Sequence, residues 1–154
     1  MRVVIQRVSR ASVSIEGKKH ATIGRGLLVL VGITHDDNEH DADRLAYRIT
    51  HLRIFNDSEG LMNLSVVQVS GELLVVSQFT LHATLRKGHR PSYALAAPSS
   101  QAMPLYEKFL ERLQHHCPQP VRSGIFGAYM QVELVNDGPV TIILDSKKER
   151  EPQL

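Results

Sequence analysis

Glu72-Leu73-Leu74-Val75-Val76-Ser77-Gln78-Phe79-Thr80-Leu81 begins as a continuous apolar run and ends as a polar one. An apolar run this short, entered from Ser70-Gly71, has the length and boundary of a buried strand rather than a helix. If the strand continues to Leu81, alternation places Gln78 and Thr80 in the row of Leu74 and Val76, with Ser77 and Phe79 on the other face. Buried hydroxyls and amides are costly when unpaired. The polar end is therefore either the solvated end of the strand or the lining of a wet site.

Outward from this strand, the neighbouring segments supply a mixed fold. Val3 to Ile15 reads as a long half-buried strand, with Val3 and Ile5 on one face and Val4 and Val8 on the other. Glu16-Gly17-Lys18 turns the chain into a short partner strand, His20 to Ile23, and Leu27 to Val31 forms a buried strand after Gly24 and Gly26. Leu45, Ile49 and Leu52 recur at helix spacing, and Asn56-Asp57-Ser58-Glu59-Gly60 marks a turn. Ser65 to Val69 is expected to be a strand. Leu105 or Tyr106, Phe109, Leu110 and Leu113 form the stripe of a second helix, and Pro104 fits best in its first turn. Ala128 to Val135 and Val140 to Leu144 read as two strands joined by the turn Asn136-Asp137-Gly138-Pro139. The expectation is one α/β (mixed α+β) domain with two main helices.

The composition narrows the function. The chain has 154 residues, a net charge of +2 and 5% aromatics without tryptophan. Neither a general polycation nor a broad base-stacking platform is expected from such a chain. A lone Cys117 points to a reducing, intracellular setting. The N-terminal alternation lacks the apolar core of a signal peptide, and the apolar runs fall far short of the ~18 residues of a spanning helix. A cytoplasmic protein without membrane contact is the expectation. Arg86-Lys87-Gly88-His89-Arg90 concentrates positive charge in a loop, which is either simply solvated or faces RNA, with Arg86, Lys87 and Arg90 as the phosphate contacts. Thr80 and His82 could form a hydroxyl–imidazole pair for a small-ester hydrolase. No H-E-x-x-H or C-x-x-C spacing argues for a metal, and His115 and His116 are neighbours that a helix points apart.

At these same residues the sequence resembles the D-aminoacyl-tRNA deacylase family. The resemblance rests on Ser77-Gln78-Phe79-Thr80-Leu81 and Asn136-Asp137-Gly138-Pro139-Val140-Thr141. It is supported by Val3-Val4-Ile5-Gln6-Arg7-Val8, Arg86-Lys87-Gly88 with Arg90-Pro91-Ser92, and Gly124-Ile125-Phe126-Gly127-Ala128-Tyr129-Met130. It implies a deacylase-like domain over residues 1–145, followed by a charged tail over 146–154. It further implies a cofactor-free enzyme that hydrolyses the ester between a D-amino acid, or glycine, and the 3′-terminal ribose of tRNA. The implied assembly is a homodimer in which Gly138-Pro139, as a cis dipeptide supported by Arg7, enters the partner's active site as a wedge against L-amino acids.

Within that resemblance, the main-chain N–H groups of Phe79 and Thr80 would stabilise the oxyanion. The catalytic strand end, Ser77 to Thr80, would lie against the scissile carbonyl, with Gln78 and Thr80 positioning the substrate while water attacks with help from the substrate's 2′-OH, Thr80 being the nucleophile only on a covalent route. Phe126 and Met130 would shape the terminal adenosine pocket, with ordinary core packing the alternative for both. The chain departs from the family at His82, where an aromatic is expected, and at Thr84-Leu85 in place of an Asp-Thr pair. The remaining alternatives are the Thr80/His82 hydrolase and a non-catalytic RNA-binding module.

Overall fold

Strand β1, Arg2–Ile15, alternates apolar and polar residues and serves as the spine of the sheet. The computed structural model describes residues 1–148. Glu16 and Gly17, both at positive φ, turn β1 into the antiparallel β2, Lys18–Ile23. Such a two-residue turn matches the twist of the strands it joins. Strand β3, Gly26–Gly32, returns antiparallel to the first half of β1. Helix α1, Glu39–His51, starts from a capping box in which Asn38 accepts from the His40 N–H at 3.0 Å and Asp41 accepts from the Asn38 N–H at 3.0 Å.

A small hairpin follows, β4 (Phe55–Asn56) and β5 (Met62–Leu64). Ser65 to Val69 is not the expected strand. Ser65 and Gln68 bond each other's main-chain N–H groups, at 3.2 and 2.8 Å, and Val69 donates to Ser65 O, so the segment coils into turns. The S-x-x-Q spacing carries that signal, and it outweighs the β-branched residues between. Strand β6, Glu72–Ser77, then runs parallel to β3. Helix α2, Ser99–His116, precedes β7, Val121–Ser123, parallel to β6. Pro104 is the sixth residue of α2 rather than a first-turn residue. Its ring lies on the exposed side, opposite the buried Ala102, Leu105, Tyr106, Phe109 and Leu113, and this stripe carries the helix through it.

The main core lies between the two helices and one face of the sheet, where Ile5, Leu27, Val29 and Leu73 meet Leu45, Ile49 and Phe109. A second core on the opposite face gathers Val8, Ala11, Val13, Leu28, Leu74 and Val76. One strand, β8 (Gln131–Asp145), serves both by pairing antiparallel with β1 over its length. The expected hairpin at Asn136-Asp137-Gly138-Pro139 is therefore absent. Val8 pairs with Asn136 and Gln6 with Thr141, so residues 137–140 bulge out of an otherwise continuous strand. On β1, Ser9 is the extra residue between Val8 and Arg10. A single inserted residue reverses the facing of everything beyond it, which is why Ile5 and Val13, both odd-numbered, lie in different cores.

Of the expected tail, Ser146 is fully buried, and its N–H donates to Met1 O at 2.8 Å. Lys147 reaches Asp41 at 3.0 Å. Lys148 N–H donates to Asp145 O at 2.9 Å, and residues 149–154 lie outside the described residues. Burial alone would raise the Asp41 carboxyl, but Lys147, the Asn38 N–H and Ser146 outweigh it and hold its pKa below 3.8. Asp145 behaves likewise, with burial opposed by the Lys147 N–H, Arg2 and the chain's amino terminus. Both folded values lie below the unfolded ones, so the stabilisation is complete above the unfolded pKa of about 4 and is lost as pH falls through the folded values. Denaturant unfolding is expected to show lower stability at pH 3 than at pH 6, with a smaller difference in Asp41→Asn. An equal difference in that variant would contradict this assignment.

Candidate active site

Strand β6 stops at Ser77 because the chain there crosses closely over Gly32. Gln78 N–H donates to Val31 O at 2.7 Å, and a Cβ on Gly32 would lie 2.9 Å from Gln78 O and 3.0 Å from both Leu81 Cβ and His82 Cδ2. Phe79–His82 then forms a 3-10 turn. The expected strand to Leu81 is thus four residues too long, and the alternation drawn through Gln78, Thr80 and His82 does not apply. In a three-residue turn, positions two apart point about 120° from each other. Thr80 Oγ1 accepts from the Gln78 side-chain amide. His82 instead turns inward, with its buried Nε2 lacking a partner among the described residues. The Thr80/His82 dyad does not form.

The first N–H groups of a helical turn have no partner inside it. Among the described residues, no acceptor meets the N–H of Phe79 or Thr80. Phe79 lines a cleft of about 610 Å³ with Ser77, Gln78, Phe126 and Met130, together with Tyr93, Tyr106 and Tyr129, whereas Thr80, the next residue of the turn, is not among the residues lining it. Phe126 also packs on Tyr106, with ring centres 5.5 Å apart, and Met130 covers the second core. Each of the two therefore lines the cleft and packs a core at once. Tyr106 donates to Val75 O at 3.3 Å, and burial pushes its phenol up to about 12, against an opposing bond from Ser123. It stays neutral at physiological pH. The described residues lining the cleft include no His, Asp, Glu, Lys or Cys.

Arg7, Gly138 and Pro139 are grouped elsewhere. The buried Arg7 guanidinium donates from Nε to Asp137 O at 2.8 Å and from Nη1 to Ile54 O at 2.7 Å, with Asn56 Oδ1 at 3.4 Å. Asn136 closes the bulge from within: its Oδ1 accepts from Val140 N–H, and its Nδ2 donates to Thr141 Oγ1, each at 3.0 Å. Gly138-Pro139 is cis at the exposed tip. Asn136, not singled out from sequence, was legible only as a turn residue, because its role depends on β1 continuing past the bulge.

The register separates the two groups. Arg7 pairs with Leu27 of β3, whereas Ser77 pairs with Val31, four residues further along that strand. That is about 13 Å of strand before any lateral offset. The basic residues Arg86, Lys87 and Arg90 line a separate hollow with Ser92 and Leu95, and Tyr93, between Ser92 and Ala94 in the chain, lines the cleft. A larger open hollow of about 1070 Å³ follows α1 past Arg44, Tyr47 and His51, and the residues singled out from sequence do not line it. Among the described residues, no helix is long and apolar enough to cross a membrane.

A two-helix domain with its open cleft at the end of parallel strands defines the class, and comparison with known proteins specifies it. Residues 4–145 match the family described as D-Tyr-tRNA(Tyr) deacylase. The D-aminoacyl-tRNA deacylase of Porphyromonas gingivalis is 58% identical over 146 residues, covering 95% of this chain and 97% of the relative. That of Cytophaga hutchinsonii is 55% identical, covering 97% and 100%. The solved structure of a c-Myc DNA unwinding element binding protein superposes with a TM-score of 0.89 at 44% identity, covering 94% of this chain and 98% of that one. A probable eukaryotic D-amino acid tRNA deacylase shares the fold, with a TM-score of 0.80 at 18% identity over 93% and 97%. The chain belongs to the D-Tyr-tRNA(Tyr) deacylase family.

Proposed function

We propose that this protein hydrolyses the ester of D-aminoacyl-tRNA, and of glycyl-tRNA, releasing free tRNA and the amino acid as chiral proofreading in translation. The observation that carries the reading is the pair of unpartnered N–H groups at Phe79 and Thr80, fixed in a turn whose first residue, Phe79, lines a cleft without a side-chain base among its described residues. Fixed donors aimed at a developing oxyanion lower the barrier without reorganisation, and a single one can contribute about 2.7–4 kcal/mol. With no imidazole beside Thr80, its hydroxyl is a poor nucleophile. Water activated by the substrate's own 2′-OH supplies the attack, and Gln78, Ser77 and Thr80 hold the ester in place. Phe126 and Met130 receive the terminal adenosine, while Arg86, Lys87 and Arg90 meet phosphates beside the cleft. Such an enzyme needs no cofactor and works in the cytoplasm, where aminoacyl-tRNA is made.

Selection against L-esters belongs to Gly138-Pro139, acting in the cleft of a second copy. The register favours this over action within one chain, since the bulge lies at the other end of β3 from Ser77. L- and D-esters differ only in where the side chain points, so discrimination needs a wall. Arg7 and Asn136 brace the bulge into one. A wall that works by collision admits glycine, which has no side chain to collide.

Purified protein is expected to release D-tyrosine from D-tyrosyl-tRNA and to leave L-tyrosyl-tRNA intact. Equal loss from both would point to a general esterase, and no loss from the D-ester would overturn the reading. Thr80→Ala is expected to slow the D-reaction by less than about tenfold, well under the ~10²–10³ that loss of one oxyanion donor causes. A fall beyond a thousandfold would make Thr80 the nucleophile.

A further inference from the structure

Phe79 and Tyr93 at the mouth of the cleft satisfy one another, edge to face with ring centres 5.0 Å apart. Tyr129, which lines the same cleft, has no such partner among the described residues. It lines the cleft yet is 89% exposed, and among the described residues no hydrogen bond or ring contact holds its side chain. A single exposed aromatic is ordinary on a protein surface. What sets Tyr129 apart is its support. Ala128 N–H donates to Ile125 O at 3.2 Å, Gly127 takes φ +77°, and a Cβ on Gly124 would lie 2.5 Å from Met130 Sδ. The backbone on both sides of Tyr129 is thus built into a tight loop, while its ring is left in water.

We propose that Tyr129 is a substrate-binding residue on which the nucleotide preceding the terminal adenosine stacks. This rests on the tRNA-ester reading above. A cleft of about 610 Å³ has room for an aminoacyl-adenosine but not for the strand behind it. That strand must leave over the rim, where Tyr129 lines the cleft with most of its ring in solvent. Stacking suits this place because every base has a π-face, so one residue serves all tRNAs. A tyrosine is also cheap to immobilise, having only two side-chain torsions. The inference adds a second point of attachment, outside the reacting centre, to a protein with few aromatics.

Steady-state kinetics of Tyr129→Ala on two substrates test this. With D-tyrosyl-tRNA, KM is expected to rise about 5–100-fold at unchanged kcat, the range spanned by loss of one base–aromatic stack. With 3′-O-D-tyrosyl-adenosine, which has no preceding nucleotide, the variant should match the parent. Tyr129→Phe should retain the parent KM on both. Because the chain has no tryptophan, Tyr129→Trp provides a single tryptophan that can be excited selectively over the remaining tyrosines. Its emission should be quenched by the trinucleotide CCA and not by adenosine. Unchanged KM with the parent active on D-tyrosyl-tRNA would overturn this inference alone. An equal loss on both substrates, or dissociation of the Tyr129→Ala protein into monomers when its sedimentation is measured, would also overturn it, assigning Tyr129 to the adenosine pocket or to subunit contact. An inactive parent protein would overturn the underlying reading instead.

Discussion

Gly138→Val is expected to lower D-tyrosyl-tRNA turnover by about a hundredfold or more, the effect of displacing a positioning group by roughly 1 Å. Gly138 has φ +142°, which L side chains rarely adopt. A Cβ there would lie 2.7 Å from Val140 Cγ2, 2.9 Å from Val140 N and 3.1 Å from Arg7 Nη2. Two of these neighbours are fixed, because Val140 N–H is bonded to Asn136 and the Arg7 guanidinium spans Asp137 and Ile54. The bulge must therefore move, and with it the proposed wall. The effect should appear in the partner's site, which mixing two inactive variants would reveal. Phe79→Pro removes one of the unpartnered N–H groups while leaving the bulge intact. Mixed dimers of Gly138→Val and Phe79→Pro contain one site with both an intact turn and an intact wedge, so activity should return on subunit exchange. Absence of recovery in demonstrated mixed dimers would refute action across the subunits. Full turnover by Gly138→Val alone would remove the dipeptide from the site.

Asp37→Ala is expected to cost about 3–5 kcal/mol, because it leaves a buried ammonium without its counter-ion. The Met1 amino group bonds the Asp37 carboxylate and Ser146 Oγ, the latter at 2.9 Å, and the ion pair has no solvent-exposed side-chain surface. Asp37 also accepts from Thr34 N–H at 2.7 Å and faces Lys147 Nζ at 3.5 Å. One carboxylate therefore joins the start of β1, the approach to α1 and the segment after β8. For a domain of this size the loss corresponds to a Tm lower by about 6–20 °C. Asp36 provides the control. Its side chain is 77% exposed and 4.0 Å from Lys147, and exposed pairs contribute about 0–1 kcal/mol. Asp36→Ala should shift Tm by no more than about 4 °C. Similar shifts for the two variants would show that the amino group is solvated in the folded protein.

The candidate site was legible in sequence as two signatures, but the geometry between them was not. Ser77-Gln78-Phe79-Thr80 reads as polar chemistry at a strand end, and its first three residues do line a cleft. The 3-10 turn that separates Thr80 from His82 arises from packing over Gly32, a residue about fifty positions earlier. Phe126 and Met130 resisted a choice between core and site because their side chains do both. The local sequence marked Asn136 only as a turn residue and gave Tyr129 no role of its own, since the role of each depends on what lies opposite in space.

By itself the sequence determined the alternating strands, the helical stripes through Leu45 and Ile49 and through Phe109 and Leu113, the turn at residues 56–60 and the two signatures. These are local matters, decided by side-chain period and by the conformational limits of glycine, proline and asparagine. Tertiary structure alone decided that Asn136-Asp137-Gly138-Pro139 is a bulge within a continuous strand, that Ser9 moves β1 from one core to the other, and that the bulge stands at the opposite end of β3 from the cleft. The physical reason is that register belongs to a pair of strands. Asp-Gly-Pro turns a chain back on itself when nothing else pairs with it, but here all of β1 was available, and its Arg7 holds the bulge by the backbone.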